Sequence, residues 1–474
     1  MQDNITPSLL FLVNTVIDDL KSFMMENTLT VRLSFGFFLL GPFFLLIERT
    51  PADVWLTICG LSFLGWSITK RQWFWLSHSW VRALLAFWGF SIVSALLSDN
   101  RLYSLGEAFI WIRFPLFAFA SCFLFNVDKR VFKAFCFATL ISLLMMMLIL
   151  VFEFIHLGYL PSRFSWPYGD LISGAFLAKS GLFTFCILVG IATVNSGSIA
   201  ISSGVFSILI LTSTLFSGER VSFVILFCSG LLVIFVMARS IKKLLILYSL
   251  VLFTVGAFLL TIPELGKRYL VQTIEILLDK NSGYREVWNS AILLIEKHPF
   301  IGIGPDNYRQ LCSGYLGNVS GVWCNNHPHN FALQVVVETG LVGLALYCVF
   351  VFLMIKQGFQ LFALRAERNV LAVSFVVPLA FFFPFQSNND FFGQWVNIFT
   401  WTALGTALAA SYTFGSKNVS VLRKYEKLRI GRVVHGSCKQ KIKRNSAYLG
   451  YKTWRTGRHS SGSGRICEYP KWAP

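Results

Sequence analysis

Charge is scarce in this sequence. Of 474 residues, only 14% are Asp, Glu, Lys or Arg, where soluble domains carry roughly 25%. Hydrophobic residues make up 55%, with 48 Phe and 14 Trp, and the mean hydropathy is +0.63. A water-soluble exterior cannot be built from so few charges, which excludes a soluble enzyme, a disordered chain and a disulfide scaffold. Also lacking are repeats of solenoid period, low-complexity tracts and, in the first 30 residues, an apolar stretch of signal-peptide type preceded by basic charge; the first span is expected to stay as an anchor. The apolar runs are long and continuous rather than short and alternating, which excludes a transmembrane β-barrel. What is left is an all-α polytopic membrane protein.

A span needs about 20 mostly apolar residues. Twelve segments meet that description, near 33–49, 52–68, 81–98, 105–127, 131–156, 171–193, 198–216, 221–238, 244–262, 330–355, 370–385 and 391–412. With the N-terminus in the cytoplasm, Lys70 and Arg71, Lys129, Arg130 and Lys133, Arg239, Lys242 and Lys243, and Lys356, Arg365 and Arg368 all fall on the inner side, as the positive-inside rule requires. The expected organisation is a cytoplasmic segment 1–32, nine spans over 33–262, one large exterior loop at 263–329 with short amphipathic helices, three spans over 330–412, and a tail, 413–474. From Thr413 onward 15 Lys and Arg face only Glu426 and Glu468, a net +13 that leaves +5 for the rest. Such a tail reads as a topology anchor on anionic membrane lipids. No folded recognition module accompanies it, so no nucleic-acid partner is expected.

A chain that is otherwise nearly all bilayer has its aqueous machinery in the one long exterior loop. Cys312 and Cys324 fall there, either as a disulfide closing a short loop in an oxidising compartment or as two free thiols. Where the loop meets the tenth span stands His327-Pro328-His329-Asn330, followed nine residues later by Gly340-Leu-Val-Gly343. On one continuous helix Gly340 would lie about 20° from His329, with Gly343 about 40° to the other side. The glycines read as helix packing against another span. Two arginines reach the same water–lipid boundary: Arg220 in Ser217-Gly218-Glu219-Arg220, and Arg285 in a stretch whose apolar side is Val287, Trp288, Ala291, Ile292 and Ile295, with Ser282 as N-cap. Asp390 stands at the exterior mouth of the twelfth span. Taken singly, each arginine would be explained by snorkelling to lipid phosphates.

Taken together, these residues resemble a family. His329-Asn330, nine residues, then Gly-x-x-Gly is similar to the signature of bacterial O-antigen ligases. The Arg285…Trp288 element followed by Pro299-Phe-Ile-Gly302-Ile-Gly304-Pro-Asp-Asn-Tyr308 resembles the preceding block of the O-antigen ligase/polymerase superfamily, and the Ser217–Arg220 corner resembles that family's first conserved arginine. The likeness runs from roughly 200 to 410. It implies a bacterial inner-membrane glycosyltransferase with its site facing the periplasm, an undecaprenyl-diphosphate-linked glycan donor and a lipid A–core acceptor in lipopolysaccharide assembly. A polymerase would use the same donor and another glycan repeat.

The chemistry of the residues agrees. Cleaving a glycosyl–diphosphate bond places negative charge on the leaving group. No set of exterior carboxylates has metal-ligand spacing, and His-Pro-His alone is a poor metal site; neither metal nor organic cofactor is expected. Arg220 and Arg285 can serve instead, because guanidinium matches phosphate oxygens bidentately and stays charged. His329 is the candidate general base on the acceptor hydroxyl, and direct displacement would invert the anomeric carbon. Asn330, Asp390 and Lys179 are the candidate substrate contacts; Lys179, inside the sixth span, either joins an internal ion pair or lines a groove for the diphosphate. Arg113, Glu107, Glu153 and Glu338 are the other charges within or beside spans. A small-anion transporter is the reading of another class, but it would hold its ionisable residues at mid-membrane beside broken helices. A dinucleotide site at Gly302-Ile-Gly304 lacks the surrounding βαβ unit.

Overall fold

The structure is a computed structural model that describes residues 9–165, 173–279, 282–317, 319–363, 372–384 and 390–415. These lie in one compact unit, Met1–Gly415, and the basic tail expected at 413–474 lies outside them but for its first three residues. Among the described residues there is no strand, and ten helices or helix pairs are long and apolar enough to cross a membrane. The protein is an all-α polytopic membrane protein.

Among the described residues ten spans, rather than the twelve expected, meet the criterion of length and apolarity. The eleventh is described only in part, as Val373–Phe381 with Pro378 inside it. The twelfth, Gln394–Gly415, is 22 residues long but carries Asn397, Thr400, Thr402 and Thr406, all buried. It packs against the helices Arg113–Val127, Val373–Phe381 and Ser173–Val194. A helix enclosed by other helices can satisfy its polar groups internally: Asn397 donates to Gly393 O at 2.7 Å, and the Trp401 indole donates to Asn397 Oδ1 at 3.1 Å. Small and polar side chains are the usual means of holding such interfaces in membranes. Near the N-terminus, Leu9–Glu26 is helical, and its Asp19 and Glu26 pair with Lys133 and Arg130.

The stretch from Ile262 to Asn330 forms four short helices, Pro263–Gly266, Gln272–Leu278, Gly283–Lys297 and Tyr308–Leu316, with Lys267–Val271 between the first two. In Gly283–Lys297, Val287, Ser290, Ala291 and Leu294 are buried. Ala291 and Leu294 share a small core with Ile303, Tyr308, Cys312 and Val337, while Trp288 and Ile292 remain exposed. The expected apolar side is therefore divided: one half docks the helix and the other faces outward. Cys312 and Cys324 are bonded. Closing a loop of about a dozen residues is worth about 3 kcal/mol in the chain-entropy view. Intact-mass and alkylation measurements with and without reductant are expected to find this one bond; two alkylatable thiols in the unreduced protein would count against it.

The long helix Phe331–Ala363 is not continuous. Gly340 has φ 66° and ψ −174°, and a side chain there would collide with the backbone of Phe300. The segment 299–304 lies against the break, with Leu341 N donating to Pro299 O at 2.8 Å, Ile303 N to Val337 O at 3.0 Å and Gly304 N to Glu338 O at 2.9 Å. Gly340 thus admits the loop's own backbone rather than a neighbouring span, which corrects the helical-wheel expectation. Gly343 faces Thr339 of its own helix and Phe90 of the helix Ser79–Leu97. The break at Gly340 ties the loop backbone at 299–304 to the helix that follows His329.

Candidate active site

His329 lies just before the helix Phe331–Ala363, with φ 56°. A non-glycine residue in the left-handed region costs of order 1 kcal/mol and is over-represented where function fixes the backbone. Its ring lies 5.6 Å from that of Tyr284 and 4.3 Å from that of His327, centroid to centroid. Its Nε2 is 3.1 Å from Asn325 Nδ2. The Asn325 carbonyl oxygen already accepts from Asn326 N at 2.7 Å, so the amide must present its N–H to the imidazole. His329 Nε2 is therefore an acceptor, and the ring is neutral with its proton on Nδ1. Burial pushes its pKa below the ordinary value, in the same direction. Asn325 follows Cys324 directly, so the disulfide restrains the segment that orients this base.

The arginines come next. Arg220 begins the helix Arg220–Met237, and its Nη1 is 3.4 Å from Thr273 Oγ1. The preceding Gly218, at φ 76°, lies so close to Ser162 that a side chain would overlap the backbone there. Phe164 N donates to Ser217 O at 3.1 Å. This approach brings Arg163 against Glu219, with which it pairs. Arg268, from the loop, donates to Gly218 O at 3.2 Å and to Gln272 Oε1 at 3.1 Å. Burial, and then the charges of Arg268 and Arg220, lower the pKa of Arg163; burial and Arg220 do the same to Arg268. Both also feel the Tyr284 hydroxyl. Among the described residues, three guanidiniums and the Glu219 carboxylate thus gather beside a tyrosine that touches the histidine, an arrangement suited to an anion with several oxygens.

On the other side of His329 the pattern changes. His327 is held neutral, its pKa pushed down to about 3 by burial, then by the neighbouring His329 and by the positive charges of Arg309 and Lys179. Arg309 pairs with both Asp390 and Asp306. Gln334 Nε2 donates to Asp390 Oδ1 at 2.6 Å and to Glu338 Oε2 at 3.2 Å, while its Oε1 accepts from Phe391 N at 2.8 Å. Among the described residues no three His, Cys, Asp or Glu side chains are grouped as a metal ion would need.

The sequence-derived candidates therefore divide. His329 lies beside Tyr284, whose hydroxyl acts on Arg163 and Arg268, and these two in turn feel the charge of Arg220; among the described residues Arg220 itself touches Thr273 and not His329. Arg285 is exposed and makes no side-chain contact with them among the described residues; its neighbour Tyr284 occupies the place expected of it. Asn330 is committed to the fold: it caps Leu333 N at 2.9 Å and donates to Pro384 O at 2.6 Å. Asp390 holds Arg309, neither His329 nor Arg220. Lys179 is buried with no carboxylate partner among the described residues, and its charge reaches His327. Of the other charges in or near spans, Arg113 pairs with Asp53 at 3.1 Å, Glu153 accepts from Ser165 N at 3.0 Å and Glu338 from Tyr308 N at 3.2 Å. Arg163, Arg268 and Asn325 escaped the sequence reading. The first two did leave a trace, as lone cations on the side where the positive-inside rule expects few; Asn325 left none.

No curated protein matches the chain. Residues 205–348 match the family model described as O-antigen ligase. That stretch carries Arg220, Arg268, Tyr284, Asn325 and both histidines of the site, and over it the chain is similar to the O-antigen ligase family.

Proposed function

We propose that the protein is an O-antigen ligase of a bacterial inner membrane. In this reading it transfers a glycan from undecaprenyl diphosphate to lipid A–core on the periplasmic side. The observation that carries this is the gathering of Arg163, Arg220 and Arg268 beside Tyr284 and His329. The arginines hold the donor diphosphate, with buried Lys179 adding a further positive charge near the histidine pair. As the glycosyl bond breaks, negative charge grows on the diphosphate, and fixed guanidiniums stabilise that charge more than the starting ester. His329 Nε2 takes the proton of the acceptor hydroxyl. The Asn325 N–H occupies the position of that hydroxyl, and the substrate replaces one donor by another without changing the tautomer. Attack from the side opposite the leaving diphosphate inverts the anomeric centre, and no covalent glycosyl-enzyme is formed. The membrane spans supply the apolar medium that the polyprenyl tail requires.

The decisive experiment is gel analysis of lipopolysaccharide from a deletion strain. Core without polymer, alongside accumulating lipid-linked polymer, is the expected result. Core bearing a single repeat would instead identify a polymerase using the same donor. The neutral-base assignment is tested by the pH dependence of kcat/KM. Because burial lowers the His329 pKa, the base stays neutral on acidification, and activity is expected to hold until the pH falls below about 6.5, the ordinary imidazole value. Asn325→Asp puts a carboxylate opposite Nε2, favours imidazolium and should move that acid limb upward; an unmoved limb would disprove the role given to Asn325.

A further inference from the structure

A cavity of about 530 Å³ reaches His327 and is lined among others by Arg49, Tyr103, Glu107, Asp306, Arg309 and His327. Its volume is that of a small-molecule site. Its charges are sorted differently from those of the arginine cluster. Arg49, Arg113 and Arg309 are matched by Glu107, Asp306 and Asp390 along its wall, so the lining has no net charge once His327 is neutral. Most of these groups are locked: Tyr103 donates to Asp306, and Arg309 spans Asp306 and Asp390. Three groups are not: the Arg49 guanidinium, Glu107 and His327. The Glu107 carboxylate is half-buried, lines the cavity and makes no hydrogen bond or ion pair among the described residues. His327 Nε2 is buried without a hydrogen-bond partner. A neutral lining with an idle carboxylate acceptor and an idle imidazole suits a polyhydroxylated neutral ligand, whose hydroxyls donate to one and exchange with the other. It does not suit a diphosphate, which the carboxylates would repel.

We infer that this cavity is the saccharide-acceptor subsite, with Glu107 and His327 binding hydroxyls of the acceptor sugar, while the arginine cluster on the Tyr284 side of His329 holds the donor. The inference rests on the transferase reading and deepens it. The acceptor and the diphosphate then approach the histidine pair from different sides, which displacement with inversion requires. A core sugar and a glycan repeat present the same hydroxyl chemistry, so both are tested.

The test uses the full chain in lipid nanodiscs and, as probes, the oligosaccharide released from the host's lipopolysaccharide core, the released glycan repeat and undecaprenyl diphosphate. Binding is measured by calorimetry and transfer by acceptor KM. Glu107→Gln removes one charge-assisted hydrogen bond, so affinity for one of the two oligosaccharides is expected to fall about tenfold or more, with acceptor KM rising alike and affinity for undecaprenyl diphosphate unchanged. Ile110→Trp, at an exposed position on the cavity wall, should act in the same way by filling the space, and it guards against a Glu107 variant that fails to fold. The oligosaccharide affected tells core from repeat. Normal binding of both oligosaccharides by both variants would overturn the inference, as would parallel loss of undecaprenyl diphosphate. A wild-type protein that transfers nothing and binds neither oligosaccharide would overturn the transferase reading itself.

Discussion

His329→Asn is expected to lower transfer by about 10²–10⁴-fold, the range for removal of a positioned general base, with protein abundance in the membrane unchanged. Asparagine is the informative substitute. His329 sits at φ 56°, and Asn is among the few residues that adopt this region readily. Alanine would mix loss of the base with backbone strain next to the helix Phe331–Ala363. The kinetic pattern separates a base from a binding residue. Loss of the base lowers kcat and kcat/KM together, whereas loss of a ground-state contact raises KM. Near-normal kcat in His329→Asn with purified lipid-linked donor would remove the imidazole from the chemistry.

Arg220→Ala should lower kcat by about 10²–10³-fold, as when one preorganised donor to a developing anion is removed. Arg220→Lys should recover only part of this, because an ammonium cannot grip two phosphate oxygens in parallel. The electrostatics also predict an effect that a merely structural arginine would not show. Arg163, Arg220 and Arg268 repel one another, and among the described residues Glu219 is the carboxylate seen to pair within the cluster. Removing Arg220 should therefore leave the unliganded protein at least as stable to heat as the wild type. It should also abolish the rise in Tm that undecaprenyl diphosphate confers on the wild type by binding the folded state. A large drop in Tm without ligand would instead make Arg220 a structural residue, held through Thr273 for the fold alone.

Arg285 shows where sequence-based reasoning and geometry part. The motif made it a second phosphate ligand; its side chain is exposed, and Arg268 and Arg163 stand in the cluster instead. Linear spacing locates a helix, but the direction in which it presents a given side chain depends on what it docks against. Here Ala291 and Leu294 seat the helix Gly283–Lys297 on Tyr308 and Val337, and that seating leaves the Tyr284 ring beside His329. Gly340 is a similar case. A helical wheel assumes one continuous helix, and the wheel fails because the Pro299–Gly304 backbone occupies the break.

The all-α membrane class was legible in the residues themselves, because it rests on a local signal. Hydropathy over 20 residues reflects transfer from water to lipid, and that free energy is additive along the chain. The His–Gly and Ser-Gly-Glu-Arg spacings are short enough to survive without knowledge of packing. Assembly of the arginine cluster was different. Arg163, Arg220 and Arg268 come from three separate segments, and only the close approach at Gly218 and the return of the loop onto it bring like charges together against their repulsion. The same holds for Asn325 and the neutral histidine, and for the balanced cavity beyond His327. Such groupings are set by side-chain direction and by long-range contacts whose energies appear only once the helices have packed, so they belonged to the tertiary structure alone.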